Sequence, residues 1–177
     1  DTAVLEEVIR SKKIAPLLGT RFDDTTIAVH PSERGHVKQA LVKLGWPAED
    51  IAGYVDGEKH PIGLDATDWQ PRPYQTEAAE GFWHGGSGVV VLPCGAGKTI
   101  VGALAMALAQ ATTLILVTNT VSARQWKQEL IKRTTLTEDE IGEYSGSLKE
   151  VKPVTIATYQ ILTTKRKNEY AHLSLLN

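Results

Sequence analysis

The chain has 177 residues, 42% apolar and 23% charged, with a formal net charge of −2. It can therefore bury a core, and it is neither a disordered tail nor a basic protein that coats nucleic acid without selectivity. A single cysteine, Cys94, excludes an internal disulfide framework and a multi-cysteine zinc site, no apolar run is long enough to cross a bilayer, and the cytosol is the compartment this composition fits.

No signal-peptide pattern opens the chain, and a first residue of Asp points to a fragment or a processed chain. Residues 3–11 set Leu5, Val8 and Ile9 at helical spacing among Glu6, Glu7 and Arg10, which predicts a short amphipathic helix. Residues 25–30 favour a strand, stopped by His30-Pro31, and Ser32 offers a cap for the next helix. Val37, Ala40, Leu41 and Leu44 form that helix's apolar stripe, and Gly45 with Pro47 ends it. These elements make residues 1–60 a small α/β domain. Turn formers and charges crowd residues 56–71, which read as a linker centred on 61–70.

The pattern then changes. A helix is predicted from Tyr74 to Trp83, broken by Gly85-Gly86-Ser87-Gly88. Val89-Val90-Val91-Leu92 has no polar alternation and reads as a buried parallel strand. Thr99 to Ala109 is helical, Thr113 to Thr118 a second buried strand, and Ser122 to Arg133 another helix with Ala123, Trp126 and Leu130 on one face. Thr137 with Glu140 forms a capping box for a short turn, and Val154 to Ala157 is a third strand leading into Tyr159–Leu162. Strands alternating with helices predict a parallel sheet. The fold class is α/β: the small N-terminal domain followed by the first part of a P-loop domain over residues 71–177.

Pro93-Cys94-Gly95-Ala96-Gly97-Lys98-Thr99 lies between a predicted strand and a predicted helix. Glycines let backbone N–H groups turn toward phosphates, Lys98 reaches the β- and γ-phosphates, and the Thr99 hydroxyl suits Mg²⁺. The strict pattern wants Gly at position 92, where this chain has Leu92. Cys94 reads as a small loop residue and not as a nucleophile. Upstream, Arg72-Pro73-Tyr74-Gln75 offers an amide that matches an adenine edge and a guanidinium that stacks on the base. At the carboxyl end of the second strand, Thr118 and Asn119 followed by Ser122-Ala123-Arg124 suit either phosphodiester contact or plain helix capping. Thr158, at the end of the third strand, has the same two readings. Trp126 reads as core, and Lys165-Arg166-Lys167 as a solvated turn. The histidines show no metal-ligand spacing.

Taken in order, Arg-Pro-Tyr-Gln, Pro-Cys-Gly-Ala-Gly-Lys-Thr, Leu-Val-Thr-Asn-Thr-Val-Ser-Ala-Arg-Gln-Trp and Ile-Ala-Thr-Tyr-Gln resemble the superfamily 2 helicases, and among them the bacterial form of the XPB (xeroderma pigmentosum group B) DNA repair helicases. The resemblance covers about residues 69–162. It implies a RecA-like domain carrying the Q motif and motifs I, Ia and Ib, in an ATP-dependent DNA helicase of the 3'-5' type. Arg72 and Gln75 would hold adenine. Cys94, Gly95, Ala96, Gly97, Lys98, Thr99 and Ile100 would surround the phosphates of ATP, with Lys98 catalytic and Thr99 meeting Mg²⁺ through the nucleotide. Thr118, Asn119, Arg124 and Thr158 would touch the DNA backbone. Residues 1–60 would occupy the place of a damage-recognition domain, and a repair nuclease would be a partner. The family's Asp-Glu-x-His box is absent from the 177 residues. The expectation is therefore an N-terminal fragment that does not itself hydrolyse ATP. Rival readings are the motor subunit of a restriction-type translocase, a small-molecule kinase, and a non-catalytic DNA- or protein-binding module with a nucleotide pocket.

Overall fold

A computed structural model describes residues 1–51, 53, 57–166 and 169–172. The chain divides into two compact units, Asp1–Val55 and Asp56–Asn177.

In the first unit, α1 (Thr2–Arg10) occupies the predicted amphipathic stretch, with the Asp1 carboxylate accepting from the Ala3 N–H at 2.9 Å. Val8 is buried and Ile14 fully so. β1 (Leu18–Arg21) and β2 (Ile27–Val29) form an antiparallel hairpin. β2 lies in the predicted strand. β1 has no signal in the sequence, because Leu-Gly-Thr-Arg carries no alternation. Ser32 is not the cap of the following helix. Pro31–Glu33 is a separate 3₁₀ turn, and the His30 ring accepts from the Ser32 N–H. Proline fixes the first position of that turn, which displaces the helix start to Arg34. α2 (Arg34–Leu44) ends at the left-handed Gly45. Arg34 and Lys38, one turn apart, hold Asp50 at 2.6 and 2.7 Å. Those hydrogen bonds, Arg34's first, keep its carboxyl far below the usual carboxylate range.

In the second unit, α3 (Pro73–Gly85) starts with Pro at its first position and stops at Gly86. Then come α4 (Lys98–Ala109), β3 (Thr113–Val117), α5 (Thr120–Arg133), β4 (Ile141–Tyr144), β5 (Val154–Thr158), α6 (Tyr159–Thr163) and a two-residue ladder of β6 (Lys165–Arg166) with β7 (Glu169–Tyr170). The main sheet is parallel in the order β3-β5-β4, with Val117 opposite Thr158 and Tyr144 opposite Ala157. Every residue of the central strand β5 is buried. Ala103, Met106, Val117, Ala123, Leu130 and Ile156 belong to the core beneath it, and Trp126 packs against that core as its helical face predicts. The Thr137–Glu140 box forms, with the Thr137 N–H 2.7 Å from the glutamate oxygen. Within the basic run, Lys165 and Arg166 lie in β6, and Lys167 is outside the described residues.

Two further expectations fail. Val89–Leu92 is not a strand: no described residue pairs with it, and Val89 and Val91 are 89% and 85% exposed. An apolar run supplies the composition of a buried strand, but a strand exists only through a ladder with a neighbour. The turn-rich stretch is also no free linker from residue 57 onward. Thr112 N donates to Glu58 O, His60 N to Gln110 O and Asp65 N to Arg133 O, at 2.8, 3.0 and 2.9 Å. Ile62, 1% exposed, sits in the core. One isoleucine among turn formers gives no periodic signal, yet burying it ties the segment down.

Candidate nucleotide and nucleic-acid site

Gly95 and Gly97 have φ of 78° and 76°, the left-handed region, and between them the loop turns with the Ala96 N–H 3.3 Å from Pro93 O. Gly97 caps α4, which begins at Lys98. Glycine is required at position 97 for a second reason: an added Cβ would lie 2.5 Å from the Gln75 amide nitrogen. The first turn of α4 thus presents the Lys98 side chain and the Thr99 hydroxyl beside a helix N-terminus, which favours anions. Lys98 Nζ donates to Pro93 O at 3.0 Å, so the ammonium already folds back over the loop. The Thr99 hydroxyl has no hydrogen-bond partner among the described residues. Cys94 is exposed, and Ala96 and Ile100 are partly buried.

The start of α3 grips this loop. Gln75 is 3% exposed. Its amide nitrogen donates to Ala96 O at 2.8 Å, and its amide oxygen accepts from the Arg72 N–H at 2.8 Å. The Tyr74 hydroxyl donates to the same Ala96 carbonyl, also at 2.8 Å. The Arg72 guanidinium is exposed and 3.4 Å from that hydroxyl. Arg72, Gln75 and the loop are therefore brought together as the motif order predicts, while the primary bonds of Gln75 run to backbone. The sequence alone assigns Tyr74 no role, because a tyrosine near a helix start is unremarkable until its partner is known. Beside Lys98 lies an apolar cleft of about 240 Å³ lined by Phe82, Val90, Val101, Gly102 and Ala105.

The second set gathers at the carboxyl end of the sheet. Thr118 and Asn119 are exposed directly after β3, and Thr158 is the register partner of Val117. Asn119 caps α5, its side-chain oxygen accepting from the Ser122 N–H at 2.8 Å. The capping reading is thus realised, and the exposed Asn119 amide nitrogen stays near the Thr118 hydroxyl at 3.3 Å. Arg124 is exposed on the second turn of α5 with no ion pair or hydrogen bond among the described residues. Thr158, 5% exposed, is a buried member of the set. Gln160 joins the two strand ends, donating to Thr118 O at 2.7 Å. Among the described residues no group of histidine, cysteine and carboxylate side chains could hold a metal ion, and no helix is long and apolar enough to cross a membrane.

The family described as "Type III restriction enzyme, res subunit" matches residues 68–176. Over its whole length the chain is 72% identical to a protein of Kineococcus radiotolerans and 70% identical to one of Mycobacterium tuberculosis, both named "DNA 3'-5' helicase XPB". It spans 32% of each, about a third of these relatives. Among solved structures, the UvsW helicase of bacteriophage T4 aligns at 18% identity with a TM-score of 0.49, covering 76% of this chain and 56% of that one.

Proposed function

The chain belongs to the type III restriction enzyme res subunit family as an XPB-type member, and from that premise we propose that it carries the nucleotide site of an ATP-driven DNA helicase or translocase. The observation that carries this reading is the loop itself: two left-handed glycines, then Lys98 and Thr99 in the first turn of α4. The fit is good, since the backbone turns where phosphates need donors and both side chains stand at the anion-favouring end of a helix. Lys98 would exchange its Pro93 carbonyl for phosphate oxygens and serve as the catalytic cation. Thr99 would hold Mg²⁺, which when bound neutralises charge between the β- and γ-phosphates. Arg72 would lie against the base, and the remaining amide hydrogen of Gln75 would face it. Gly95 to Gly97 supply backbone donors, with Cys94 and Ile100 flanking them.

Thr118, Asn119 and Arg124 would meet the phosphodiester backbone, with Thr158 supporting the strand end beneath them. Movement on DNA in the 3'-5' sense, a repair role with a nuclease partner and lesion sensing by residues 1–60 follow from the family resemblance as parts of this proposal, and a cytoplasmic location follows from the composition. The family's restriction-enzyme name favours a second reading, a restriction-type translocase, which nuclease activity in the complete protein would mark. The test is ATP hydrolysis by the full-length protein, with and without DNA, beside Lys98→Ala. Hydrolysis stimulated by DNA and lost in the variant is expected. Hydrolysis indifferent to DNA would overturn the motor reading and favour a kinase or a regulatory nucleotide site.

A further inference from the structure

The central strand β5 is buried at all five positions, and the next residue, Tyr159, is 51% exposed. That change happens at the carboxyl edge of the sheet, where the exposed Thr118 and Asn119 end β3. Thr158 points into the fold at 5% exposure, so Tyr159 is the residue at this strand end with surface to offer. It does not sit on a loose loop. Gln160, its neighbour, donates to Thr118 O at 2.7 Å, and the Thr163 hydroxyl donates to Tyr159 O at 3.0 Å, which closes the single turn of α6. A tyrosine on backbone fixed this way loses little conformational freedom on contact, since only its two side-chain torsions remain to be ordered. Its surroundings select the occupant. The Asn119 amide at the adjoining strand end suits a phosphate, and the Arg124 guanidinium, farther along α5 and with no partner among the described residues, adds a cation to the helix that starts there. An aromatic face beside phosphate-directed donors suits the sugar or base of the same strand.

We propose that Tyr159 is a nucleic-acid contact, its ring packing on the sugar or base of the nucleotide whose phosphate meets the Thr118–Asn119 edge. The assignment rests on the DNA-motor reading above and adds a stacking platform to what was otherwise a purely polar set of contacts.

The test is fluorescence anisotropy of the full-length protein on a labelled single-stranded oligonucleotide and on a labelled duplex, across a salt series. Four variants are compared with the parent: Tyr159→Ala, Tyr159→Phe, Arg124→Ala and Ile131→Ala, the last an exposed residue at the other end of α5. Tyr159→Ala is expected to weaken binding about tenfold or more without changing the slope of log affinity against log salt, because no charge is lost. Tyr159→Phe is expected to bind like the parent. Arg124→Ala is expected to lower the salt slope by about one. Wild-type affinity in Tyr159→Ala, with the Arg124 effect present, overturns the proposal while leaving the DNA reading standing. Equal losses in the Ala and Phe variants overturn the stacking role, since they place the contact in the hydroxyl. A parent protein that binds neither oligonucleotide sinks the DNA reading itself. A loss in Tyr159→Ala matched by Ile131→Ala marks general damage to the fold and also counts against the proposal; thermal unfolding of each variant identifies that case.

Discussion

Gly97→Ala tests the loop most sharply, because two separate penalties meet there. The first is conformational. A φ of 76° places an L-residue in the left-handed region, at a cost of about 1–2 kcal/mol. The second is steric, since the new Cβ would lie 2.5 Å from the Gln75 amide nitrogen and 3.3 Å from Ile100 Cδ1. Gln75 is buried and bonded at both ends of its amide, to Ala96 O and to the Arg72 N–H. Displacing it forfeits up to two hydrogen bonds, about 1–3 kcal/mol together. The sum is about 2–5 kcal/mol against the binding-ready loop, an affinity loss on the order of thirtyfold to a few thousandfold. Gly95→Ala supplies the comparison: its φ is 78°, but nothing lies within 4 Å of the added carbon. Only the backbone penalty applies there, so about five- to thirtyfold is expected. The assay is titration of the full-length protein with a fluorescent ATP analogue. Gln75→Ala then closes a double-mutant cycle with Gly97→Ala. With the amide gone the clash is relieved, so the pair should cost less than the sum of the singles by about 1 kcal/mol or more. Additive costs, or equal effects at positions 95 and 97, would refute the grip of Gln75 on the loop.

Tyr74→Phe removes one of two donors to Ala96 O, and the same titration should show a few-fold weaker affinity, about 0.5–1.5 kcal/mol. Gly102→Ala would bring a carbon within 2.6 Å of the Trp126 ring, which is packed on the core. Urea unfolding should show a loss of about 1–3 kcal/mol. Gln110 has φ 49°, the one positive value outside glycine among the described residues. Its side chain bonds Ile62 at both N–H and carbonyl. Gln110→Gly keeps the backbone and loses the bonds, whereas Gln110→Ala loses both, so the Ala variant should unfold at the lower urea concentration. The Thr137 N–H, then its hydroxyl, lowers the Glu140 pKa below its ordinary 4.5. A lowered folded value means that this stabilisation is complete above the unfolded pKa and disappears as pH falls through the folded one. Urea midpoints should therefore decline as pH drops below about 5, and less steeply in Thr137→Val, which keeps the N–H bond and loses the hydroxyl bond.

What could be read from the sequence was what short-range chemistry encodes. The helices from Pro73, Lys98 and Thr120 and the strands from Thr113 and Val154 follow from periodicity and capping residues within a few positions. The loop followed from glycines whose φ the structure shows to be left-handed. The choices made by partners distant in sequence were not legible. Nothing around Tyr74 specifies a carbonyl 22 residues away. Nothing in Gly-Glu-Lys-His-Pro specifies that Ile62 enters the core, or that its N–H meets a side chain 48 residues away at Gln110. β4 was hidden for a related reason, since Ile-Gly-Glu-Tyr becomes a strand only by lying against Val154–Ala157.

The failure at Val89–Leu92 bears on how the loop is held. In a strand–loop–helix arrangement the loop is fixed at one end by the strand's ladder and at the other by the helix. Here the helical end is in place, with Ile100 and Val101 N–H groups on Gly97 O at 3.0 and 3.3 Å. The preceding residues have no ladder among the described residues, and Val89 and Val91 face solvent. The fixation therefore comes sideways, from α3. Tyr74 and Gln75 both donate to Ala96 O, and α3 packs against α4. A loop held by two hydrogen bonds on one carbonyl responds to loss of either as a rigid ladder would not. This is why Tyr74→Phe, at a position that touches no phosphate, is expected to change nucleotide affinity, and why the Gly97 and Gln75 substitutions are expected to be coupled.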